Sequence, residues 1–152
     1  MNAGLKATQA AKAMLEDADP ALTTITNFEA EVEDPNEGDN NNAITSSHPC
    51  VRIWASGAQE YPPLSGNYNV ELNVMIEVFA ARHNAAQVEA MFDEVWAIFS
   101  TTTFAADLSA AIDGFHCFGL TGGIQQSSQT SDEDFRRKVM TIPINCCATD
   151  IS

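Results

Sequence analysis

Three histidines and four cysteines have the widest chemical range in this chain, and most of them fall in pairs: His48 with Cys50, His116 with Cys117, and Cys146 with Cys147. These are zinc-ligand types. A structural zinc site needs two ligands on one tight turn aimed at the same ion, which is why such sites carry C-x₂₋₄-C knuckles. No such knuckle occurs here. Adjacent cysteines on a strand point to opposite faces, so Cys146 and Cys147 are read as small buried apolar residues. No metal and no cofactor are expected. Nucleophilic catalysis needs a nucleophile, a base and an orienting group. His48 falls in a loop, His83 at a strand–helix junction and His116 in a strand, and no G-x-S-x-G elbow accompanies them. Leu120–Ile124 reads L-T-G-G-I, a tight turn without the Lys and Ser/Thr of a P-loop. Glu71 and Glu77 lie well apart on one strand, as on a solvated face, not as an acid/base pair. No catalytic residue is assigned. The competing enzyme reading would assemble a site from His83, His116 and Glu77.

Charge narrows the classes further. The 152 residues carry 21 acidic and 7 basic side chains, a net charge of −14. That balance disfavours sequence-independent nucleic-acid binding, which depends on Lys and Arg neutralising phosphates, and it disfavours an anionic membrane surface. Three of the cations are consecutive, Arg136-Arg137-Lys138, and they follow Asp132-Glu133-Asp134 with Phe135 between. Two readings stand side by side: a charge-balanced strand start, or an ion-pair contact to an acidic face such as Glu29, Glu31 and Glu33 on another copy. Leu5–Leu15 is punctuated by Lys6, Gln9 and Lys12 and lacks the apolar core of a secretion signal. No apolar run approaches the roughly 18 residues of a membrane helix. Four scattered cysteines fit synthesis in a reducing cytoplasm.

The elements that must position these residues follow from periodicity. Tyr68–Arg82 alternates, with Tyr68, Val70, Leu72, Val74, Ile76 and Val78 on one side and Asn69, Glu71, Asn73 and Glu77 on the other. A period of two predicts a long strand with one dry and one wet face. Asn84 then caps a helix over Ala85–Ser100, where Val88, Met91, Phe92, Val95, Trp96 and Phe99 follow helical spacing. An Ala-rich first helix is predicted over Ala3–Asp17. Its narrow apolar stripe places it at the edge of the domain or against a neighbouring chain. Strands are predicted over Ile25–Glu33, Cys50–Ala55, Phe115–Leu120 and Phe135–Ala148, and a short helix over Phe104–Ile112 with Gly114 as its left-handed cap. Asp34–Asn42 and Ser56–Gly66, the latter holding Tyr61, Pro62 and Pro63, are predicted loops. Pro143 suits a sheet edge or a bulge. The whole is one α+β domain spanning residues 1–152: a mainly antiparallel sheet of four or five strands with helices packed on one face.

This order resembles the tail terminator or tail completion proteins of tailed bacteriophages. The stretches that carry the likeness are P-C-V-R-I-W-A-S-G, N-V-E-L-N-V-M-I-E-V-F-A-A-R-H, the helix A-A-Q-V-E-A-M-F-D-E-V-W-A-I-F and the closing D-F-R-R-K-V-M-T-I-P-I-N-C. The likeness covers most of the chain in size, order and pattern, without a diagnostic motif. It implies a structural virion protein, made in the bacterial host cytoplasm and located in the tail or neck. Such proteins form a homo-oligomeric ring, commonly of six copies, that caps the tail tube and ends its polymerisation. The implied partners are other copies of the chain, the tail tube protein and a head-side connector or stopper protein. DNA would slide through the lumen without specific binding, and no membrane is involved. By position the ring contacts would come from Leu5–Leu15, the two loops with Tyr61, Pro62 and Pro63, and Arg136, Arg137 and Lys138 against Glu29, Glu31 and Glu33. The alternatives are another neck ring, such as a head-completion or stopper protein, the small enzyme above, or a binding module that grips a partner with a projecting hairpin.

Overall fold

The computed structural model describes residues 3–18, 22–25, 27–31, 50–61, 69–131 and 135–148. The elements run α1 (Ala3–Glu16), β1 (Asn27–Glu31), β2 (Cys50–Tyr61), β3 (Asn69–Ala81), α2 (Ala85–Phe99), α3 (Phe104–Ala111), β4 (Phe115–Leu120), β5 (Gln125–Gln126), β6 (Thr130–Ser131) and β7 (Phe135–Ala148). One sheet has the order β1-β2-β3-β7-β4, and β5 and β6 add to the free side of β7. All pairings are antiparallel except β1 with β2. The fold is α+β, with the helices on one face of the sheet.

β3 and β7 form the centre of the sheet because each has a full apolar side. Val70, Leu72, Val74, Ile76 and Val78 of β3 face the helices together with Met140, Ile142, Ile144 and Cys146 of β7, all 5% exposed or less. The ladder pairs Val74 with Ile142 and Ile76 with Met140, so these side chains stack across strands where such pairs stabilise sheets most. From above, α2 adds Val88, Met91, Phe92, Val95 and Phe99, each at most 2% exposed. Burial of a side chain of this size stabilises by about 1.5–3 kcal/mol. Asn84 starts α2 without a side-chain cap: its Nδ2 donates to Gln87 Oε1 at 3.1 Å, and its carbonyl accepts from Val88 N–H at 3.1 Å. Gly114 takes the left-handed conformation predicted for it, with φ +77°.

Four expectations need correction. First, α1 is not peripheral. Ala7, Ala10, Ala11 and Leu15 are at most 1% exposed, and the helix lies against β2, β1 and α3. Its stripe is narrow in hydrophobicity but not in area, because alanines let a helix approach the sheet closely. Second, β2 does not end at Ala55. It continues to Tyr61 through an irregularity between Ser56 and Gln59, a bulge that absorbs the small residues there without ending the strand. Third, the second face of β3 is wet only at one end. Asn69 is exposed, but Glu77 and Phe79 are 1% and 0% exposed. Fourth, Pro143 lies inside a strand paired on both sides. Its carbonyl accepts from Thr121 N–H at 3.0 Å. In an antiparallel strand its missing N–H would point the same way, toward the bend between β4 and β5, so no ladder bond is lost. The predicted loop Asp34–Asn42, with Glu33, His48, Pro62 and Pro63, lies outside the described residues.

Candidate interaction surfaces

The basic run is the first place to look for a contact, and alternation along β7 splits it between the two faces of the sheet. Arg136 and Lys138 lie on the helix side, as the pattern required. Lys138, 9% exposed, donates to both carboxylate oxygens of Glu89 on α2 at 3.1 and 3.2 Å, and its Nζ stands 4.3 Å from the centre of the Phe92 ring. Gln129 donates to Glu89 Oε1 at 2.8 Å and to the Ala85 carbonyl at 3.0 Å, and its own Oε1 accepts from Arg136 Nη1 at 3.3 Å. Arg136 Nε donates to the Arg82 carbonyl at 3.0 Å. These bonds clasp the start of β7 to the N-terminal half of α2. The hydrogen bonds from Gln129 and Lys138 hold the Glu89 carboxyl below its ordinary value.

Arg137 faces the other way. Its Nη1 lies 3.8 Å from Glu77 Oε2. Glu77 is opposite Arg52 in the β2–β3 ladder, and Phe79 is opposite Arg137 in the β3–β7 ladder. The Arg52 guanidinium sits 5.6 Å from the Phe79 ring centre, and Phe79 meets Phe135 edge-on at 5.8 Å. Arg52 is 3% exposed. Two guanidiniums, a carboxylate and two aromatic rings thus form one cluster on the face opposite the helices, with Arg52, Glu77 and Phe79 buried and Arg137 and Phe135 partly so. Inside the chain Glu77 lies beside Arg137 and Glu89 pairs with Lys138. In the fold Glu29 and Glu31 lie on the edge strand β1, in register with Arg52 and Trp54, and Tyr61 ends β2.

The remaining chemical residues do not converge. His116 is opposite Cys147 and Glu77 is opposite Val139 on β7, which separates them by roughly 26 Å at 3.3 Å per residue. His83 is exposed in the turn after β3, at the far end from His116. The four cysteines are buried and form no disulfide, with Cys146 on the helix side and Cys147 on the other. Burial pushes the Cys117 and Cys147 thiols up and carries Cys146 to about 12. Among the described residues no cluster of three metal-ligating side chains occurs, and no helix is long and apolar enough to cross a membrane.

Two surfaces were not anticipated. The outer strand β4 buries Phe115 and Cys117 but turns His116, Phe118 and Leu120 outward, with Phe118 49% and Leu120 45% exposed. His116 meets Phe118 edge-on at 4.7 Å. The signal was present in the sequence, since a short strand with apolar residues in both registers cannot bury both sides. The second is a groove of about 900 Å³ between the C-terminal half of α1, α2 and α3. No single segment encodes it, because it exists only where three helices meet. No known family profile matches the chain, and no curated protein matches it by sequence.

Proposed function

We propose that the chain is a virion assembly protein of tailed bacteriophages, of the tail terminator or tail completion kind. Copies would join head to tail in a ring on the end of the tail tube, stop its growth, and meet the head-side connector. The observation that carries this reading is the pair of sheet margins. Among the described residues β1 and β4 are each paired on one side only, at opposite ends of one five-strand path. Soluble monomers blunt such edges, whereas a subunit with one edge at each end can contact the next copy through unlike surfaces. A heterologous contact of that kind makes a closed ring when its rotation closes. The exposed Phe118 and Leu120 on β4 supply apolar area for such a contact. The net charge of −14 suits a conduit that DNA crosses without sticking.

Resemblance in element order supports the same reading. The sequence stretches that resemble the family fall on β2, β3, α2 and β7. The test is polymerisation of the cognate tail-tube protein with and without this chain, imaged by negative stain. Expected are shorter tubes with a ring on one end. Tubes of unchanged length with bare ends would refute the terminator role, and rings found only on the connector would assign the chain to another neck position.

A further inference from the structure

We propose that the three-helix groove is a docking site for a basic, aliphatic-anchored segment of a different protein. The floor is apolar: Met14 of α1, Leu22 from the segment after α1, and Ile98 of α2 line it, with alanines from all three helices between them. Its volume of about 900 Å³ lies within the range of sites that enclose a ligand or a few side chains. The polar part of the lining is acidic. Asp17, Glu94 and Asp107 contribute carboxylates, and among the described residues the lining includes no Lys, Arg or His. A helix C-terminus adds to this. The last turns of α1 and α3 line the groove and neither carries a basic residue; Lys6 donates to the Asp113 carbonyl just beyond α3, so it is the α1 end that leaves its negative dipole uncompensated on its own helix. An apolar floor beneath a negative rim fits a segment with a Leu, Ile or Met anchor flanked by Lys or Arg.

A second copy of this chain is a poor occupant. Six of its seven cations already have partners inside the fold: Lys6, Lys12, Arg52, Arg136, Arg137 and Lys138. A cation from another molecule matches this rim, and the apolar floor asks for more than a free cation. This surface lies on the helix layer, away from the β4 edge, so the proposal stands or falls independently of ring assembly.

Glu94 is not the residue to vary. It accepts from Thr23 N–H, Thr23 Oγ1 and Thr24 N–H at 2.8–3.0 Å and so fastens the segment after α1 to α2. Asp17 and Asp107 are exposed and can be neutralised as Asp17→Asn with Asp107→Asn. Ala97→Trp, at an exposed position of α2 in the lining, fills the groove without touching the core. The probe is a fluorescein-labelled six-residue peptide of alternating Lys and Leu, measured by fluorescence anisotropy on the full chain at 0.15 M salt. Controls are Lys/Ser and Glu/Leu peptides of equal length. We expect binding of the Lys/Leu peptide only. The double Asn variant should weaken it about fivefold, the effect of two exposed ion pairs, and Ala97→Trp should abolish it, with unfolding midpoints kept. Equal binding of the Lys/Ser peptide would reduce the site to diffuse electrostatics and overturn the proposal. So would unchanged affinity in both variants, or a self-association that Ala97→Trp removes, which would make the groove a contact between copies.

Discussion

Replacing Glu77 by Ala isolates the buried ionic cluster on the face opposite the helices. Glu77 is 1% exposed and lies opposite Arg52, which is 3% exposed, while Arg137 approaches it at 3.8 Å with its side chain 20% exposed. Removing one member of a buried ion pair costs about 3–5 kcal/mol, because the charge left behind stays out of water. Arg137 recovers part of its hydration through its exposed fifth. Arg52, almost fully buried beside the Phe79 ring, cannot. The expected loss is therefore about 3 kcal/mol, toward the low end of that range. For a chain of this size that corresponds to a fall of about 6–12 °C in Tm, out of a total stability of about 5–15 kcal/mol. Urea unfolding at pH 7, followed by the fluorescence of buried Trp54, measures it directly. A loss below about 1 kcal/mol with an unchanged denaturant slope would refute the cluster as a coupled, desolvated unit. The same geometry means that Arg137→Glu is no clean probe of assembly, since it places a second carboxylate against Glu77.

Leu15→Ala tests the central position of α1: a fully buried Leu lost from a core costs about 2–5 kcal/mol, whereas a peripheral helix would lose well under 1 kcal/mol by the same unfolding assay. Burial pushes the Glu94 carboxyl up, but hydrogen bonds from Thr23 and Thr24 outweigh it and leave the value lowered from 4.5. Its contribution is then complete above pH 4.5 and is lost as pH falls through the lowered folded value, so Glu94→Gln should lower stability at pH 7 and flatten the acid limb of the stability curve. A parallel downward shift at every pH would contradict that linkage. With Cys146 at about 12 and every thiol buried, a thiol-reactive dye at pH 8 should label the native protein far more slowly than the urea-unfolded chain. Rapid labelling of any one cysteine would show that its strand opens.

Periodicity made the central elements legible. The alternation of Val70 to Val78 and of Met140 to Cys146 marked β3 and β7, and the helical spacing of Val88 to Phe99 marked α2, each to within a residue or two of its observed ends. What periodicity reports is which face a side chain takes, not whether that face is covered. That is why Glu77 read as solvated although it is buried. Alanine misled in a similar way: its low hydrophobicity hid α1 from the core, where small size is the property that matters. Ser56-Gly57-Ala58 read as a break because neither bulk nor alternation survives there, yet β2 resumes pairing with β3 past the bulge in a shifted register. β5 and β6 are two residues each and entirely polar, so only their partner β7 defines them. The basic run was legible as important, but its partners Glu77 and Glu89 lie some 50 to 60 residues away in sequence and no local pattern points to them. The groove and the exposed β4 edge depend on which elements meet, and that information is tertiary.

The most direct test of ring assembly is mass by light scattering, on the chain alone and mixed with tail-tube protein. Six copies of a 16.4 kDa chain weigh about 98 kDa. The account predicts a closed species near that mass, free or bound at tube ends, that Phe118→Asp dissolves without lowering the unfolding midpoint of the monomer. A single 16.4 kDa species that ignores tube protein at every concentration would contradict it.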